Sequence, residues 1–339
     1  MKWMVAMLAA TFFGFVSGAH ADVPADAWNL YRQKFVTAEG RVVDDVNGGI
    51  SHSESQGYGL MLPCLAGDRA AFASIFAFTR TELLIRDDGL AAWRWDPKAN
   101  PHVTDINNAS DGDLLIAAAL ACAGTRWTMP SYTAAGRQIA NALAKAALLQ
   151  RGGETWLMPA AIGFSEKERS DGPVINPSYW VFEAFPVLAK LTGDQSWMQV
   201  QASGQKLLDE LAKRKMPAPD WLSIKAEPKP AEGFPPQLSY NAIRIPLYLL
   251  RAGLGEKARL EPFRQVWADG VAVVDVHSGK PVEPLPDAGY RILSAAMACA
   301  LDGTPIPAEL KTFQPTAYYP STLQLLSLSM LSERYPKCM

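Results

Sequence analysis

The sequence predicts an all-α fold built from about a dozen paired helices. Apolar residues recur at positions i, i+3 and i+4 through most of the chain, the spacing of helices that bury one face. Alternation of apolar and polar residues, which would indicate strands, is convincing only at 156–164 and 271–276. Eleven segments carry the helical pattern: 25–36, 57–65, 69–84, 111–124, 131–149, 177–191, 196–213, 241–252, 257–267, 289–299 and 316–331.

The spacing of these segments indicates how they pack. One helix in every ~26 residues is typical of hairpins of paired helices. Two layers of such hairpins, wrapped into a closed ring, would place one set of helix ends around a cleft. The proline-rich segment 227–236 is the best candidate for a domain boundary, but it is short and lies between apolar segments. We therefore predict a single domain over residues 22–339.

The first residues resemble a secretory signal peptide. Lys2 supplies a positive charge, residues 4–16 are apolar, and a small-residue cleavage site covers residues 19–21. This apolar run is short for a bilayer span, and no later segment is long and uncharged enough to form one. We predict that residues 1–21 are removed after Ala21 and that the mature chain is secreted or periplasmic.

Composition excludes several classes of function. The 32 lysines and arginines nearly balance the 34 aspartates and glutamates, and no basic cluster indicates a nucleic-acid partner. The three histidines after the signal peptide are too far apart along the chain for a histidine zinc site. We expect no cofactor and no metal.

Four cysteines follow the signal peptide, at Cys64, Cys122, Cys299 and Cys338. None forms a C-x-x-C pair, and the first three lie in apolar helical segments. We expect buried thiols; one disulfide is the alternative, because an oxidising compartment permits it.

Residues 108–117 read N-A-S-D-G-D-L-L-I-A and place two carboxylates directly before an apolar helix. The free N–H groups of a helix N-terminus favour ionised Asp111 and Asp113. Such paired oxygens suit sugar hydroxyls, a metal or a catalytic water. The alternative is a helix cap with a second acid in the first turn. A calcium loop over residues 105–113 fits poorly, since its spacing departs from the usual pattern and the distal glutamate is missing.

A second acid lies upstream, in the segment S-E-S-Q-G-Y-G at residues 53–59, again just before an apolar helix. We expect Tyr58 and its neighbours to enclose Glu54 in part, which favours its protonated form. Asp111 at its helix N-terminus would stay ionised. Two carboxyl groups in opposite protonation states suit the cleavage of a glycosidic bond. The alternative for Glu54 is a capping or salt-bridging role.

Loops between the predicted helices are rich in aromatic residues. Flat apolar rings beside Asp, Asn and Arg suit the faces of pyranose sugars, while core packing is the alternative and fits Trp127 and Trp267. These loops lie at residues 93–97, 176–180, 219–221 and 318–320.

The two acid-bearing segments, S-E-S-Q-G-Y-G and A-S-D-G-D-L-L-I-A-A-A-L-A-C-A-G-T-R-W, resemble the two signatures of glycoside hydrolase family 8. Further matches in the same order are G-R-V-V-D at 40–44, Trp93, N-P-S-Y at 176–179 and S-Y-N-A-I-R-I-P at 239–246. Within the family, the chain is most similar to the secreted endo-β-1,4-glucanases that accompany bacterial cellulose synthesis.

The resemblance implies an (α/α)6 barrel with a few short strands in loops, and hydrolysis of internal β-1,4-glucosidic bonds with inversion. It makes Glu54 the general acid and Asp111 the carboxylate that contacts the central sugar and helps to order the attacking water. It also implies a β-1,4-glucan substrate and a link to the cellulose synthase and export machinery. The residues expected to line the glucan subsites are Trp93, Tyr179, Tyr240, Asn241, Arg244 and Tyr318.

The chain departs from the family pattern at two positions. Ser55 replaces the usual glycine after the acid, a mild change. Asn241 stands where this branch of the family has the aspartate that acts as general base, and an amide cannot take the proton of water at neutral pH.

Three hypotheses follow from Asn241. The base is another acid, with Asp111, Glu227 and Glu232 as candidates; or the enzyme is slow; or the chain is an engineered variant. We favour the first two. The alternative function is a glucan-binding accessory that keeps the cleft and has negligible turnover.

Overall fold

The computed structural model describes residues 23–339, so the predicted signal peptide lies outside the described residues. No helix in this range has the length and the apolar character needed to cross a bilayer. The range contains twelve α-helices: α1 Ala25–Phe35, α2 Ser53–Ala66, α3 Arg69–Glu82, α4 Ser110–Arg126, α5 Pro130–Ala147, α6 Ala184–Thr192, α7 Ser196–Lys213, α8 Ile245–Ala252, α9 Lys257–Val266, α10 Ala288–Asp302, α11 Ala308–Lys311 and α12 Tyr318–Arg334.

Short strands occupy the loops between these helices. They pair antiparallel into β1–β2, β3–β4, β5–β6–β7 and β8–β9–β10. The strands are β1 Ser51–His52, β2 Arg94–Trp95, β3 Leu148–Arg151, β4 Glu154–Leu157, β5 Val174–Ile175, β6 Leu222–Ser223, β7 Lys229–Pro230, β8 Gln237–Leu238, β9 Ala272–Asp275 and β10 Pro281–Pro284. Three 3-10 helices complete the described elements: Pro177–Tyr179, Ala242–Arg244 and Pro336–Cys338.

Burial divides the helices into two layers. Helices α2, α4 and α12 are buried on nearly every side, whereas α5 and α7 bury one face and expose the other. A helix that is apolar all round belongs inside, and an amphipathic helix covers it. Helix α4 packs against α2, α5 and α6, and α10 packs against α8 and α12.

The first and last long helices close the ring. Helix α1 packs against α12, where Tyr31 Oη and Thr322 Oγ1 share a buried hydrogen bond of 2.9 Å. Residues from opposite ends of the described chain are therefore neighbours. The predicted all-α double layer of about twelve helices, with a few short strands in loops, is confirmed.

Helices α2 and α4 approach each other unusually closely near their N-termini. A Cβ at Gly112 would lie 2.0 Å from Ser53 Oγ, and a Cβ at Gly57 would lie 2.6 Å from Leu115 Cβ. No side chain fits at either glycine, so the two helix starts meet only because both positions lack one. This contact places the first turns of α2 and α4 side by side.

The start of α2 differs from the prediction of 57–65. His52 Nδ1 accepts the N–H of Ser55 at 3.0 Å, and Ser55 Oγ accepts the N–H of His52 at 3.0 Å. This reciprocal capping box starts the helix at Ser53. Glu54 therefore lies in the first helical turn and not in a loop before it.

Two predicted helices begin later than expected. The segment 177–191 forms a 3-10 helix and then α6, in which Pro186 is the third residue. The segment 241–252 forms a 3-10 helix and then α8, in which Pro246 is the second residue. Proline is tolerated best in the first turn of a helix, and both of these helices start accordingly. The predicted strand 156–164 is also wrong beyond Leu157, where β4 ends.

The expectation of buried thiols is wrong, because the four cysteines form two disulfides. Cys64–Cys122 joins α2 to α4, and Cys299–Cys338 joins α10 to the last 3-10 helix. The Cα atoms are 6.4 Å and 6.1 Å apart, within the range of a disulfide. The close approach of α2 and α4 makes the first pairing possible.

Candidate active site

Two acidic side chains from different helices meet at one end of the inner layer. Glu54 is the second residue of α2, and Asp111 is the second residue of α4. Because α2 and α4 touch at Ser53 and Gly112, their first turns bring these acids together. The fold thus unites the two acid-bearing segments that lie far apart in the sequence.

A single guanidinium group joins the two acids. Arg244 ends the 3-10 helix Ala242–Arg244; its Nη2 donates to Asp111 Oδ2 at 2.6 Å, and its Nη1 pairs with Glu54 Oε2. Only 1% of the Arg244 side chain is exposed. A buried cation needs charged partners, and the two carboxylates supply them.

Arg244 is itself held in place on its other sides. Its Nε donates to the carbonyl oxygen of Ser178 at 3.3 Å. Its guanidinium carbon lies 5.6 Å from the centre of the Tyr179 ring and 5.9 Å from that of Tyr248. Aromatic faces at these distances attract a cation. The cation that links the acids is therefore fixed before any ligand arrives.

Burial raises the pKa of Asp111 to about 6. Arg244 acts against this rise, and the nearby charge of Glu54 adds to it. With this pKa Asp111 is still mostly ionised at neutral pH, as expected, but it titrates in mildly acidic solution. The reason is that its carboxylate is almost fully enclosed, and losing its hydration outweighs the hydrogen bond that it accepts from the N–H of Gly112.

Glu54 is the more open of the two acids. Its side chain is 18% exposed, against 3% for Asp111. Tyr318 Oη lies 3.5 Å from Glu54 Oε1, and His52 Nδ1 lies 4.0 Å from the same oxygen. Glu54 is thus the more accessible of the two acids to a ligand in the cleft, and Asp111 offers only a small part of its surface.

His52 adds a further titratable group, which the sequence analysis did not single out. Burial acts to lower its pKa, but its hydrogen bond with Asp44 and the charge of Glu54 outweigh this, so the pKa of His52 is raised. Its Nε2 lies 3.4 Å from Asp44 Oδ2. His52 and Arg244 therefore both border Glu54.

Asp113 serves the structure of the loop before α4. Its Oδ1 accepts the N–H of Ala91 at 2.8 Å, and its Oδ2 accepts Asn108 Nδ2 at 2.9 Å. Burial raises its pKa to about 7. It faces these two donors and not the acid pair, so we assign it no part in the chemistry.

Asn241 lies beside an acid that the sequence analysis did not name. Its Nδ2 is 3.4 Å from Asp220 Oδ2. Asp220 Oδ1 accepts the N–H groups of Ser239 and Ala242, each at 2.8 Å. Asp220 is 8% exposed, and burial raises its pKa. The sequence drew attention to residues 219–221 only for their tryptophan, and nothing local predicts that this loop reaches Asn241.

Glu227 and Glu232 lie at the surface. Glu227 is 80% exposed and pairs with Arg214 at 3.1 Å, and Glu232 is 61% exposed and lies 3.8 Å from Lys229. Both are solvated acids beside basic side chains. We therefore discard them as candidates for the general base.

The aromatic residues expected in the subsites differ in how far they are buried. Trp93 is half-buried and its Nε1 donates to Asp105 Oδ2 at 2.8 Å. Tyr179 is half-buried over Arg244, and Tyr240 is 42% exposed with its hydroxyl donating to Glu283. Tyr318, by contrast, is fully buried. Its ring supports Glu54 from behind and offers no face to a sugar.

A row of stacked rings continues from Tyr179. Trp221 lies 6.0 Å from Tyr179, and it stacks on Phe164 at 5.3 Å and on Phe234 at 4.6 Å, measured between ring centres. Trp221 is half-buried, so part of its ring faces outward. Aromatic rings thus continue from Tyr179, beside Arg244, through Trp221 to Phe164 and Phe234.

Among the described residues, no group of three or more His, Cys, Asp or Glu side chains is arranged to hold a metal ion. Asp105, the first residue of the calcium-loop alternative, accepts Trp93 Nε1 and the N–H of Asn107. Its oxygens are thus engaged within the protein.

Comparison with known proteins agrees with this arrangement. The sequence profile of glycosyl hydrolases family 8 matches residues 1–332. The chain is 37% identical over 325 residues to a probable endoglucanase from Novacetimonas hansenii, covering 91% of this chain and 92% of that protein. It is 35% identical over 252 residues to an endoglucanase from Cellulomonas uda, covering 74% and 68%.

A solved structure is also similar over its whole length. The endo-beta-1,4-glucanase CMCax from Acetobacter xylinum superposes with a TM-score of 0.81 at 33% identity, covering 92% of this chain and 99% of that one. The double ring of helices and the paired acids at one end, together with these relatives, identify a glycoside hydrolase. The chain belongs to glycosyl hydrolases family 8.

Proposed function

We infer that this glycoside hydrolase is an endo-1,4-β-glucanase that cuts internal bonds of a cellulose-like glucan. Of the relatives at 35–37% identity over most of the chain, one is an endoglucanase and one a probable endoglucanase, and the similar solved structure is an endo-beta-1,4-glucanase. The observation that carries the inference is Arg244, which holds Glu54 and Asp111 together at the end of the barrel.

Glu54 acts as the general acid. It is the more exposed acid, so its proton can reach the glycosidic oxygen of a glucan in the cleft. As the bond between the anomeric carbon and that oxygen breaks, the leaving oxygen takes the proton and Glu54 becomes a carboxylate. Arg244 then neutralises the new charge, because its Nη1 already pairs with Glu54 Oε2.

Asp111 supports this step from a fixed position. The guanidinium of Arg244 stands between it and Glu54. The space between the two acids is therefore taken by the guanidinium and not by an attacking water. Asp111 instead contacts the central sugar and helps to order the water. Inversion then requires a base on the other side of the sugar.

The aromatic side chains form the track for the glucan. Trp93, Tyr179 and Tyr240 keep partly open rings that can stack on sugar faces. Arg244 and Tyr318 are buried, so they act on the glucan through the acids that they support.

We also propose that the chain works outside the cytoplasm, in the periplasm or beyond the cell. The signal-like residues 1–21 support this, and so do the two disulfides, which persist in oxidising compartments. N-terminal sequencing of the exported protein should begin at Asp22; a retained Met1 on exported protein would contradict the cleavage.

We further propose that the enzyme works beside a cellulose synthase and export machine. It depends on the resemblance to the endoglucanases that accompany cellulose synthesis. Adding the mature chain to membranes that synthesise cellulose should shorten the product, while the Glu54→Gln variant should leave it unchanged. Equal products with both proteins would count against the proposal.

Hydrolysis of carboxymethylcellulose by residues 22–339 tests the activity itself. Glu54→Gln and Asp111→Asn should each abolish most of this activity. Full activity in both variants would contradict the assignment of these two acids to the reaction. Analysis of the anomers released from a cello-oligosaccharide should show inversion.

Asn241 supports one alternative function, a glucan-binding accessory with negligible turnover. In that case the chain lacks a base, and Asn241→Asp should raise activity by orders of magnitude. An unchanged or lower rate would mean that another group already accepts the proton.

A further inference from the structure

Inverting hydrolysis needs a group that takes a proton from the attacking water. Asn241 cannot do so, because its amide is not basic at neutral pH. Asp111 is held by Arg244 on the side of the general acid, and Glu227 and Glu232 lie at the surface. None of the four residues considered so far can therefore be the general base.

Asp220 is an acid in contact with Asn241, and its two oxygens are used differently. Oδ1 is fixed by the N–H groups of Ser239 and Ala242, each at 2.8 Å. Oδ2 has a long contact, at 3.4 Å, with Asn241 Nδ2, and the backbone N–H of Asn241 also donates to the Asp220 carboxylate. One oxygen thus anchors the carboxylate, and the other keeps lone pairs for a further hydrogen bond.

Asp220 also lies next to the catalytic pair, across Tyr179. The charges of Asp111, Glu54 and Asp220 all act on the Tyr179 hydroxyl, and Arg244 lies 5.6 Å from its ring. Asp220 reaches this position because the next residue, Trp221, packs edge-on against Tyr179. Tyr179 therefore lies near both the acid pair and a third buried carboxylate, Asp220.

We propose that Asp220 is the general base of this enzyme, in place of the residue at position 241. The proposal rests on the proposed endoglucanase function. The attacking water lies between Asp220 Oδ2 and the side-chain oxygen of Asn241. Asn241 is then a positioning residue that orients the water.

The reaction balances with these groups alone. The water oxygen bonds to the anomeric carbon while one water proton moves to Asp220 Oδ2. The bond from that carbon to the glycosidic oxygen breaks, and the oxygen takes the proton of Glu54. Asp220 ends protonated and Glu54 ionised, and exchange with solvent resets both. Burial, which raises the pKa of Asp220, makes it a better proton acceptor than an exposed aspartate.

The Asp220→Asn variant tests the proposal with a substitution that keeps the shape of the side chain. The asparagine oxygen can still accept the N–H groups of Ser239 and Ala242, so the loop should keep its shape. We expect kcat to fall by about 10²- to 10⁴-fold with little change in KM or in melting temperature. Asp171→Asn is the control, because Asp171 is also buried and accepts the N–H of Glu232 at 2.7 Å, although it pairs with Arg169 as well. Its activity should stay near wild type.

Rescue by azide shows whether Asp220 acts as a base or only as a structural residue. Azide attacks without losing a proton, so it should restore turnover to Asp220→Asn and yield a glycosyl azide of inverted configuration. A loss of activity that azide does not restore, with a lowered melting temperature, would make Asp220 structural and overturn the proposal.

The Asn241→Asp variant distinguishes a failure of Asp220 as general base from a failure of the proposed endoglucanase function. With Asp220 as base, its gain should be small. A large gain, together with a wild-type chain that is inactive, would overturn Asp220 as base and favour the accessory function. If neither wild type nor Asn241→Asp hydrolyses a glucan, the proposed function itself fails. An active wild type matched by an equally active Asp220→Asn would overturn only the base.

Discussion

Arg244 Nη2 donates a 2.6 Å hydrogen bond to Asp111 Oδ2, and the same guanidinium pairs with Glu54 through Nη1. One buried cation thus connects acids from two helices. Removing it would leave two carboxylates facing each other in a site with little water, a costly arrangement. The acid pair depends on this residue from another part of the chain.

Arg244→Lys should therefore lower kcat for a cello-oligosaccharide by about 10²-fold or more, because one ammonium cannot reproduce the two-pronged geometry of a guanidinium. Arg251→Lys is the matched control. Arg251 Nε also binds a carboxylate, that of Glu183 at 2.7 Å, but away from the acid pair. Equal losses in both variants would indicate general destabilisation and would contradict the assigned role.

The raised pKa of Asp111 predicts how activity depends on pH. Asp111 must be ionised to pair fully with Arg244, and its pKa is about 6. We expect kcat to fall as the pH drops through about 6. In Arg244→Lys the fall should begin at higher pH, because the guanidinium acts to lower the pKa of Asp111. A kcat that stays constant down to about pH 4 would refute the link.

Asp113 should make the protein less stable as the pH rises. Its pKa is about 7 when folded and 3.8 as an ordinary aspartate, so the folded chain keeps a proton that the unfolded chain has lost. Its effect on the free energy of unfolding is therefore unfavourable from about pH 4 upward and complete above about pH 7, on the order of a few kcal/mol.

Asp113→Asn should reduce the loss of melting temperature between about pH 5 and about pH 8, since the amide cannot ionise. Asp275→Asn serves as the control of opposite sign. Hydrogen bonds from Ser278 lower the pKa of Asp275, so its contribution is lost on acidification instead. If Asp113→Asn shows the same pH dependence as the wild type, the enclosed carboxyl is not the cause.

The sequence predicted the parts of the fold that depend on local pattern. Helical periodicity located most helices, and the two acid-bearing segments were recognisable because Glu54 and Asp111 each start an apolar helix. The sequence did not predict the features that depend on contacts between distant segments. The contact of Asp220 with Asn241 and the pairing of Cys64 with Cys122 exist only after the loops and helices have packed.

The protonation of Asp111 shows the same limit. Its position near a helix N-terminus predicted an ionised side chain, which a pKa of about 6 allows at neutral pH, but it did not predict titration in mild acid. The decisive quantity is burial, and neighbours from other segments create it, Arg244 among them. A single sequence shows which residues are acids; it does not show how much water each acid keeps after folding.

Gly112 connects the packing of the barrel to its chemistry. A Cβ there would lie 2.0 Å from Ser53 Oγ, and Ser53 directly precedes Glu54. Gly112→Ala should push the starts of α2 and α4 apart. The higher helix propensity of alanine returns only about 1 kcal/mol, against about 1–3 kcal/mol for overpacking. We therefore expect a net loss of stability and a fall in kcat as Glu54 moves away from Arg244.

Gly136→Ala provides the matched comparison for this prediction. A Cβ at Gly136 would lie 2.9 Å from the carbonyl oxygen of Ala117, where α5 covers α4 away from the acid pair. This variant should lose melting temperature while kcat below that temperature stays near wild type. If Gly112→Ala behaves in the same way, with kcat preserved, then the close contact of the two helix starts stabilises the barrel without positioning the acids.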